Sequence, residues 1–320
     1  MPHKSLLLLS LSMLALASCG APSSSLETSK PHEHAYDEIK VTKDASWRTY
    51  LVDSDFDPSG MEVSLHCSDC DQWVIADAFR VTNGDFLPLE QESVTISAGG
   101  LTLDYPIQVK EKLHIACVGD SLTKGHSWPN ESYPSYLSKT VSDLFEVGNF
   151  GENGISITGY GGSWNSPDMK YSKQHFYTDS IAYDPDIFAF MLGTNDATGW
   201  SNAAETFEAE YRDLLDSYIE ALPYAKFIMM VSPPTKDGNQ FGIPNNVIRD
   251  NVNPIQRQLA EDYGFEVLDL REEFEATENY ESLYLRPNGD GVHFTKAAAQ
   301  YVAGRVWEIV QDMVPYIEAE

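Results

Sequence analysis

The chain has 320 residues, 42% of them hydrophobic and 12% aromatic, and carries 49 Asp+Glu against 21 Lys+Arg for a formal net charge of -28. That apolar content is ample for a sizeable core and excludes disorder throughout, while the length fits one large domain or two unequal ones. The acidic excess, with no Lys/Arg-rich stripe to offset it, repels phosphate backbones and anionic headgroups, so nucleic acid is not expected as a partner and a solvated surface accounts for the charge.

At the N-terminus Lys4 precedes an apolar run from Leu6 to Leu16, broken only by Ser10 and Ser12, and small residues follow up to Cys19. The run is shorter than the roughly 20 apolar residues that span a bilayer, and it reads as a secretory signal. Its end, Leu16-Ala17-Ser18-Cys19-Gly20, resembles the lipobox of bacterial lipoproteins. The resemblance implies cleavage before Cys19 and lipidation of its thiol. The protein would then be held in the bacterial cell envelope by a lipid anchor only, facing the periplasm or the exterior. Residues 1–19 are thus expected to be a signal peptide, and residues 20–40, rich in Ser, Pro, Glu and His, a flexible linker. His32 and His34 in that linker are too few and too mobile to make a metal site.

Residues 41–110 change character. Met61-Val63-Leu65, Trp73-Val74-Ile75, Val94-Ile96 and Leu101-Leu103-Tyr105-Ile107-Val109 are short stretches of period two. The turn-formers Asp57-Pro58-Ser59-Gly60, Thr82-Asn83-Gly84-Asp85 and Ala98-Gly99-Gly100 separate them, a pattern that predicts a small all-β sandwich. The Gly-Gly turn followed by Leu101 to Val109 resembles the last hairpin of bacterial immunoglobulin-like domains, which implies a spacer. Cys67 and Cys70 form a single Cys-x-x-Cys without the second ligand pair that structural zinc wants. A local disulfide or a pair of reduced thiols in a turn remains.

From residue 111 to 320 the pattern becomes strand alternating with helix. Leu113–Val118, Phe145–Asn149, Ile187–Leu192, Phe227–Val231 and Phe265–Leu268 are strand candidates, several continuously apolar as a parallel sheet covered on both faces requires. Cys117 falls inside the first and is expected to be buried. Phe207, Tyr211, Leu214, Leu215, Tyr218, Ile219 and Leu222 recur at helical spacing before Pro223. Asn246 to Tyr263 and Thr295 to Met313 are two further helices, the last with Thr295 as N-cap and Val302, Val306, Ile309, Val310 and Met313 as its inner stripe. The succession predicts a three-layer α/β architecture whose site lies at the carboxyl ends of the strands.

Four polar segments fall at those ends. Gly119-Asp120-Ser121-Leu122 sets a hydroxyl on the first strand-to-helix turn, where Ser121 is either a nucleophile or a helix cap. Asn149-Phe150-Gly151-Glu152-Asn153-Gly154 follows the second strand, Gly193-Thr194-Asn195-Asp196 the third, and Asp290-Gly291-Val292-His293 stands before the last helix. In this order the four segments resemble the blocks of SGNH, or GDSL-type, hydrolases over about two hundred residues. The resemblance implies the family's flavodoxin-like parallel sheet, Ser121 as nucleophile, and Asp290 with His293 completing a triad. It also implies an oxyanion hole from the Ser121 backbone N–H, Gly154 and Asn195. An acid three residues before the base can orient its imidazole, which fits that implied chemistry. Asp120 is expected to support the nucleophile turn and Asp196 to bind its own loop. His126, His114 and His175 have no ligand cluster or orienting acid in sequence, so no metal and no cofactor is expected.

The substrate is less explicit. Trp128, Trp164 and Trp200 fall in loops, where they could stack on sugar rings or simply pack the loops. The Met191 to Asp196 block and the lipoprotein signal look like the carbohydrate-esterase branch, which implies an acetylesterase acting on an acetylated glycan. Lysophospholipase, thioesterase or arylesterase activity is the enzymatic alternative, and a glycan-binding surface protein without chemistry is the other.

Overall fold

Strands buried on both faces need apolar residues at nearly every position, and Leu113–Val118, Ile187–Leu192 and Phe227–Val231 have them. The structure, a computed structural model, describes residues 35–161 and 166–315. Cys19, His32, His34 and Trp164 lie outside the described residues. The five expected strands form β9 (Leu113–Gly119), β10 (Phe145–Gly151), β11 (Ile187–Met191), β12 (Lys226–Val231) and β13 (Glu266–Asp269). They pair in parallel in the order β10-β9-β11-β12-β13. This is the flavodoxin-like winding, and its order reverses on either side of β9, where such sheets open a crevice. Every residue of β11 is buried. β13, at the edge, exposes Glu266 and Val267.

Aromatic rings lock the helix layers to the sheet. Phe188 and Phe227, opposite each other in register, stack 4.9 Å apart, and Phe265 continues the ladder at 4.7 Å. Helix Phe207–Ala221 lays its predicted stripe on this face, with Phe207, Tyr211, Leu214, Leu215 and Tyr218 buried and Ile219 half-buried. Helix Lys296–Met313 is capped by Thr295 as expected, the hydroxyl accepting the Ala298 N–H at 3.2 Å. Val302, Val306 and Val310 are buried along it, while Ile309 and Met313 are half-buried at its margin. The predicted helix from Asn246 is interrupted: a π turn at Ile248–Val252 separates Asn245–Val247 from Asn253–Tyr263. Pro254 is the cause, because it offers no N–H to the carbonyl one turn back and the backbone widens to accommodate its ring.

Among the described residues the N-terminal region holds eight strands. β1 (Tyr36–Lys43), β3 (Glu62–Cys67) and β4 (Gln72–Ile75) make one antiparallel sheet in the order β1-β3-β4. β5 (Arg80–Thr82), β6 (Ser93–Ala98) and β7 (Leu101–Pro106) make another, and β2 (Thr49–Leu51) pairs in parallel with β8 (Gln108–Lys110). Val63, Leu65, Leu87, Val94 and Ile96 fill the interior with Tyr50, Phe56 and Tyr105. The predicted linker of 20–40 is corrected at its end: β1 already begins at Tyr36, with Tyr36 and Ile39 half-buried opposite Cys67 and Leu65. Asp37, Glu38 and Lys40 disguise that alternation as a polar tether, and a register shift between Tyr36 and Glu38 breaks its period. Beside Cys70 the Cys67 thiol acts as a hydrogen-bond partner and raises the Cys70 pKa.

Lys110, at the end of β8, reaches into the parallel sheet. Its ammonium lies 2.9 Å from Asp186 and 2.8 Å from Asp184. Arg48 sits 4.1 Å over the ring of Tyr224.

Candidate active site

β9 ends in Gly119 because nothing larger fits: a Cβ there would stand 2.6 Å from the Met191 carbonyl and 2.1 Å from the Thr123 hydroxyl. The chain then turns at once into the short helix Ser121–Lys124, with Asp120 as its N-cap accepting the Leu122 N–H at 2.8 Å. Asp120 thus supports this turn, as expected. Gly119 is in register with Gly151 at the end of β10 and with Met191 at the end of β11, so the three loops that follow emerge side by side.

Ser121 and His293 meet across 172 residues of sequence. The Ser121 Oγ lies 2.9 Å from His293 Nε2, and His293 Nδ1 lies 3.1 Å from both carboxylate oxygens of Asp290. With Nδ1–H given to Asp290, Nε2 is left as acceptor for the serine hydroxyl. Asp290 is fixed by its own turn, its Oδ1 accepting the backbone N–H of His293 at 2.8 Å and of Val292 at 3.0 Å. Burial alone would raise its pKa, but the hydrogen bonds and charge of His293 together with the Val292 N–H outweigh burial and hold it at about 2. Ser121 and His293 are both buried.

The other two loops are tied together. Asn195 Nδ2 donates to the Ile155 carbonyl at 2.9 Å, leaving its second amide hydrogen uncommitted to that bond. Gly154, immediately before Ile155, takes φ 70°, a backbone conformation that favours glycine. Asp196 goes beyond expectation. Besides its own backbone N–H it binds the loop after β10, accepting the Ile157 N–H at 3.0 Å, the Thr158 N–H at 2.9 Å and the Thr158 hydroxyl at 2.7 Å. Burial pushes Asp196 up to about 6 despite these donors. Asp120 is pushed higher, to about 7, by burial and by the charge of Asp196, and its Oδ2 is buried without a hydrogen-bond partner among the described residues.

Some of this machinery is silent in the sequence. Gln256 donates to the Leu192 carbonyl at 2.7 Å and accepts the Ser232 N–H at 2.9 Å, so it pins the ends of β11 and β12. Arg286 donates to the Phe294 carbonyl at 2.8 Å and the Gly125 carbonyl at 3.1 Å, joining the loop of Asp290 and His293 to the nucleophile turn. Only the concentration of Asn, Gln and Arg next to apolar runs hints at them. Trp128 is exposed, with one face covered by Arg286 at 3.9 Å, whereas Trp200 packs edge-on against Phe207 at 5.3 Å. Cys117 is buried, which pushes its thiol up to about 12. His114 Nδ1–H donates to the Tyr183 carbonyl at 2.9 Å, and no group of metal-ligating side chains occurs among the described residues.

Comparison with known proteins places this geometry. An acetylxylan esterase of Xylanibacter ruminicola is 26% identical over 190 residues, which cover 52% of this chain and 37% of that protein. The chain therefore spans little more than a third of that relative's length. Among solved structures, the lipase/acylhydrolase from Enterococcus faecalis superposes with a TM-score of 0.51 at 17% identity, covering 65% of this chain and 100% of that one. A protein assigned as an arylesterase from Agrobacterium tumefaciens gives 0.51 at 20% identity, over 63% of this chain and 100% of its own. At such identities the two share the fold. The sequence profile of GDSL-like lipases and acylhydrolases matches residues 117–301, from inside β9 to the last helix, and the chain belongs to that family.

Proposed function

We propose that this protein is a serine esterase that removes O-acetyl groups from a carbohydrate through an acyl-enzyme on Ser121. The observation that carries the reading is the Ser121–His293–Asp290 chain at 2.9 and 3.1 Å, with Ser121 and His293 buried and Asp290 half-buried. In acylation His293 takes the Ser121 proton as Oγ bonds to the ester carbonyl carbon, then returns it to the sugar oxygen as the C–O bond breaks. Asp290 holds the imidazole in the tautomer that can accept. In deacylation a water gives its proton to His293 and its oxygen to the acyl carbon, releasing acetate and restoring Ser121. The Ser121 and Gly154 N–H groups and the Asn195 amide receive the charge that develops on the carbonyl oxygen. The acetylxylan esterase relative supports an acetylated glycan as substrate.

The reading extends to the rest of the chain. Residues 1–19 act as a lipoprotein signal, Cys19 carries the lipid, and the β region serves as an immunoglobulin-like spacer that holds the esterase away from the envelope. Its support is the apolar run to Leu16 with the small residues before Cys19, and the paired strands β1 to β8. No helix among the described residues is long and apolar enough to cross a membrane.

The test is acetate release from acetylated xylan and other acetylated glycans, beside p-nitrophenyl esters of increasing chain length. Acetate from a glycan with preference for the two-carbon ester is expected, and Ser121→Ala should lower turnover by about 10³-fold or more while the fold is kept. Activity retained in Ser121→Ala would refute the nucleophile, and preference for long acyl chains would refute the acetyl reading.

A further inference from the structure

His126 belongs to none of the roles assigned so far, yet it touches the base. The chain leaves helix Ser121–Lys124 through Gly125 at φ 88° and then His126 at φ 46°, a left-handed conformation that costs a residue with a side chain. The His126 N–H is bonded to the Ser121 carbonyl at 3.0 Å, so the posture is fixed by the nucleophile turn itself. It lays the His126 ring parallel to that of His293, with centroids 4.0 Å apart and planes at 10°. Phe241 meets both imidazoles nearly at right angles, at 5.8 Å from His126 and 4.8 Å from His293. His126 Nδ1 is buried. The Asn153 side chain is a polar influence on the ring, and the parallel stack on His293 sets its plane.

We infer that His126 is a positioning residue for the proton relay: clamped over one face of His293, it keeps that imidazole in line between Asp290 and Ser121 and offers a π face to the imidazolium formed during acyl transfer. The inference rests on the reading of Ser121, His293 and Asp290 proposed above. An imidazolium over an aromatic face is attracted by it, whereas two imidazolium rings at this spacing repel. His126 therefore serves only while it is neutral. The groups around it favour that state, since burial, His293 and Arg286 oppose a charge on it more than Asp290 and the Asn153 side chain promote one. Phe241, the remaining neighbour, is apolar. Toward acid pH, proton uptake by His126 would oppose proton uptake by His293 and so slow the relay.

A fluorophosphonate probe tests this without knowledge of the natural ester. The Ser121 Oγ–P bond forms, fluoride leaves, and the serine proton passes to His293. Labelling rates of wild type, His126→Phe and His126→Ala are measured from pH 5 to pH 9, the labelled residue is identified by peptide mass spectrometry, and thermal unfolding is followed alongside. His126→Phe should stay within about threefold of wild type at pH 8, and its rate should fall less steeply toward pH 5, because its ring cannot take a charge. His126→Ala should lose about tenfold or more at pH 8, since an unclamped imidazole samples unproductive orientations. Wild-type labelling by His126→Ala at every pH, or equal losses in both variants with the wild-type pH profile, would overturn the inference. If His126→Ala does not fold, the pH profile of His126→Phe decides alone. A wild-type protein that is not labelled at Ser121 would instead overturn the nucleophile reading, and this inference with it.

Discussion

Asp290 and Asp120 are both carboxyls drawn away from water, and their proton affinities part because His293 bonds to one, whereas the other is fully enclosed, has backbone donors alone and lies near the charge of Asp196. Asp290, held at about 2, contributes stability that is present above the ordinary carboxylate pKa and is lost as pH falls toward 2. Asp120, raised to about 7, has the opposite sign. Between about pH 4 and pH 7 the folded protein binds a proton there that the unfolded chain does not, so the contribution of Asp120 is fullest below pH 4 and declines as pH rises to 7. Asp120→Asn keeps an acceptor for the Leu122 N–H and removes the charge. Urea unfolding at pH 4.5 and pH 7.5 should then show a smaller decline than wild type, the difference being on the order of a few kcal/mol. An unchanged decline would mean that Asp196 or another group carries it. Asn195 has a different office. On the proposed mechanism Asn195→Ala removes an oxyanion donor, and kcat should fall roughly 10²–10³-fold with KM changed much less. Equal effects on both would point to the loss of its bond to the Ile155 carbonyl rather than of an oxyanion donor.

At the scale of elements, what could be read beforehand follows how local the cause is. The central strands β9, β11 and β12 were legible because burial on both faces forces apolar residues at nearly every position, and Thr295 was legible because a cap needs only its own turn. β1 was not, since its half-buried Tyr36, Ile39 and Val41 are separated by charges and by a register shift that the partner strand β3 imposes. The Asp196 tether was hidden for the same reason: its three donors lie about forty residues earlier, and no local spacing announces them. His126 looked idle because what defines it is a ring 167 positions away. Thr295 itself can be tested as an element-level device, since it caps helix Lys296–Met313 and donates to the Leu283 carbonyl at 2.6 Å. Thr295→Ala should lower unfolding free energy by about 1–2 kcal/mol, and Thr295→Ser should recover most of it. A Ser variant as unstable as the Ala variant would shift the explanation to packing of the threonine methyl group.

Across the whole molecule, the β region and the parallel sheet meet over a charged contact as well as an apolar core. Lys110 is nearly enclosed, with 12% of its side chain exposed, and Asp186 has 1% exposed, so the pair is withheld from the screening that weakens surface bridges. Burial raises the Asp186 pKa, and Lys110 is the chief influence drawing it back, with the His114 N–H at 2.8 Å assisting. Lys110→Met keeps most of the stem and deletes the charge, which leaves Asp186 to ionise without its counterion. At pH 8 this should cost about 3–5 kcal/mol of unfolding free energy, as for other buried pairs broken on one side. The loss should shrink toward pH 5: without Lys110 the folded-state pKa of Asp186 rises further, so the folded variant takes up a proton that the unfolded chain releases, and acid restores stability. Unfolding curves of wild type and variant at pH 5, 6.5 and 8 measure this directly. A loss that is the same at all three values would assign the effect to the lysine stem, and no loss at all would mean that the two regions are joined by their apolar contacts alone.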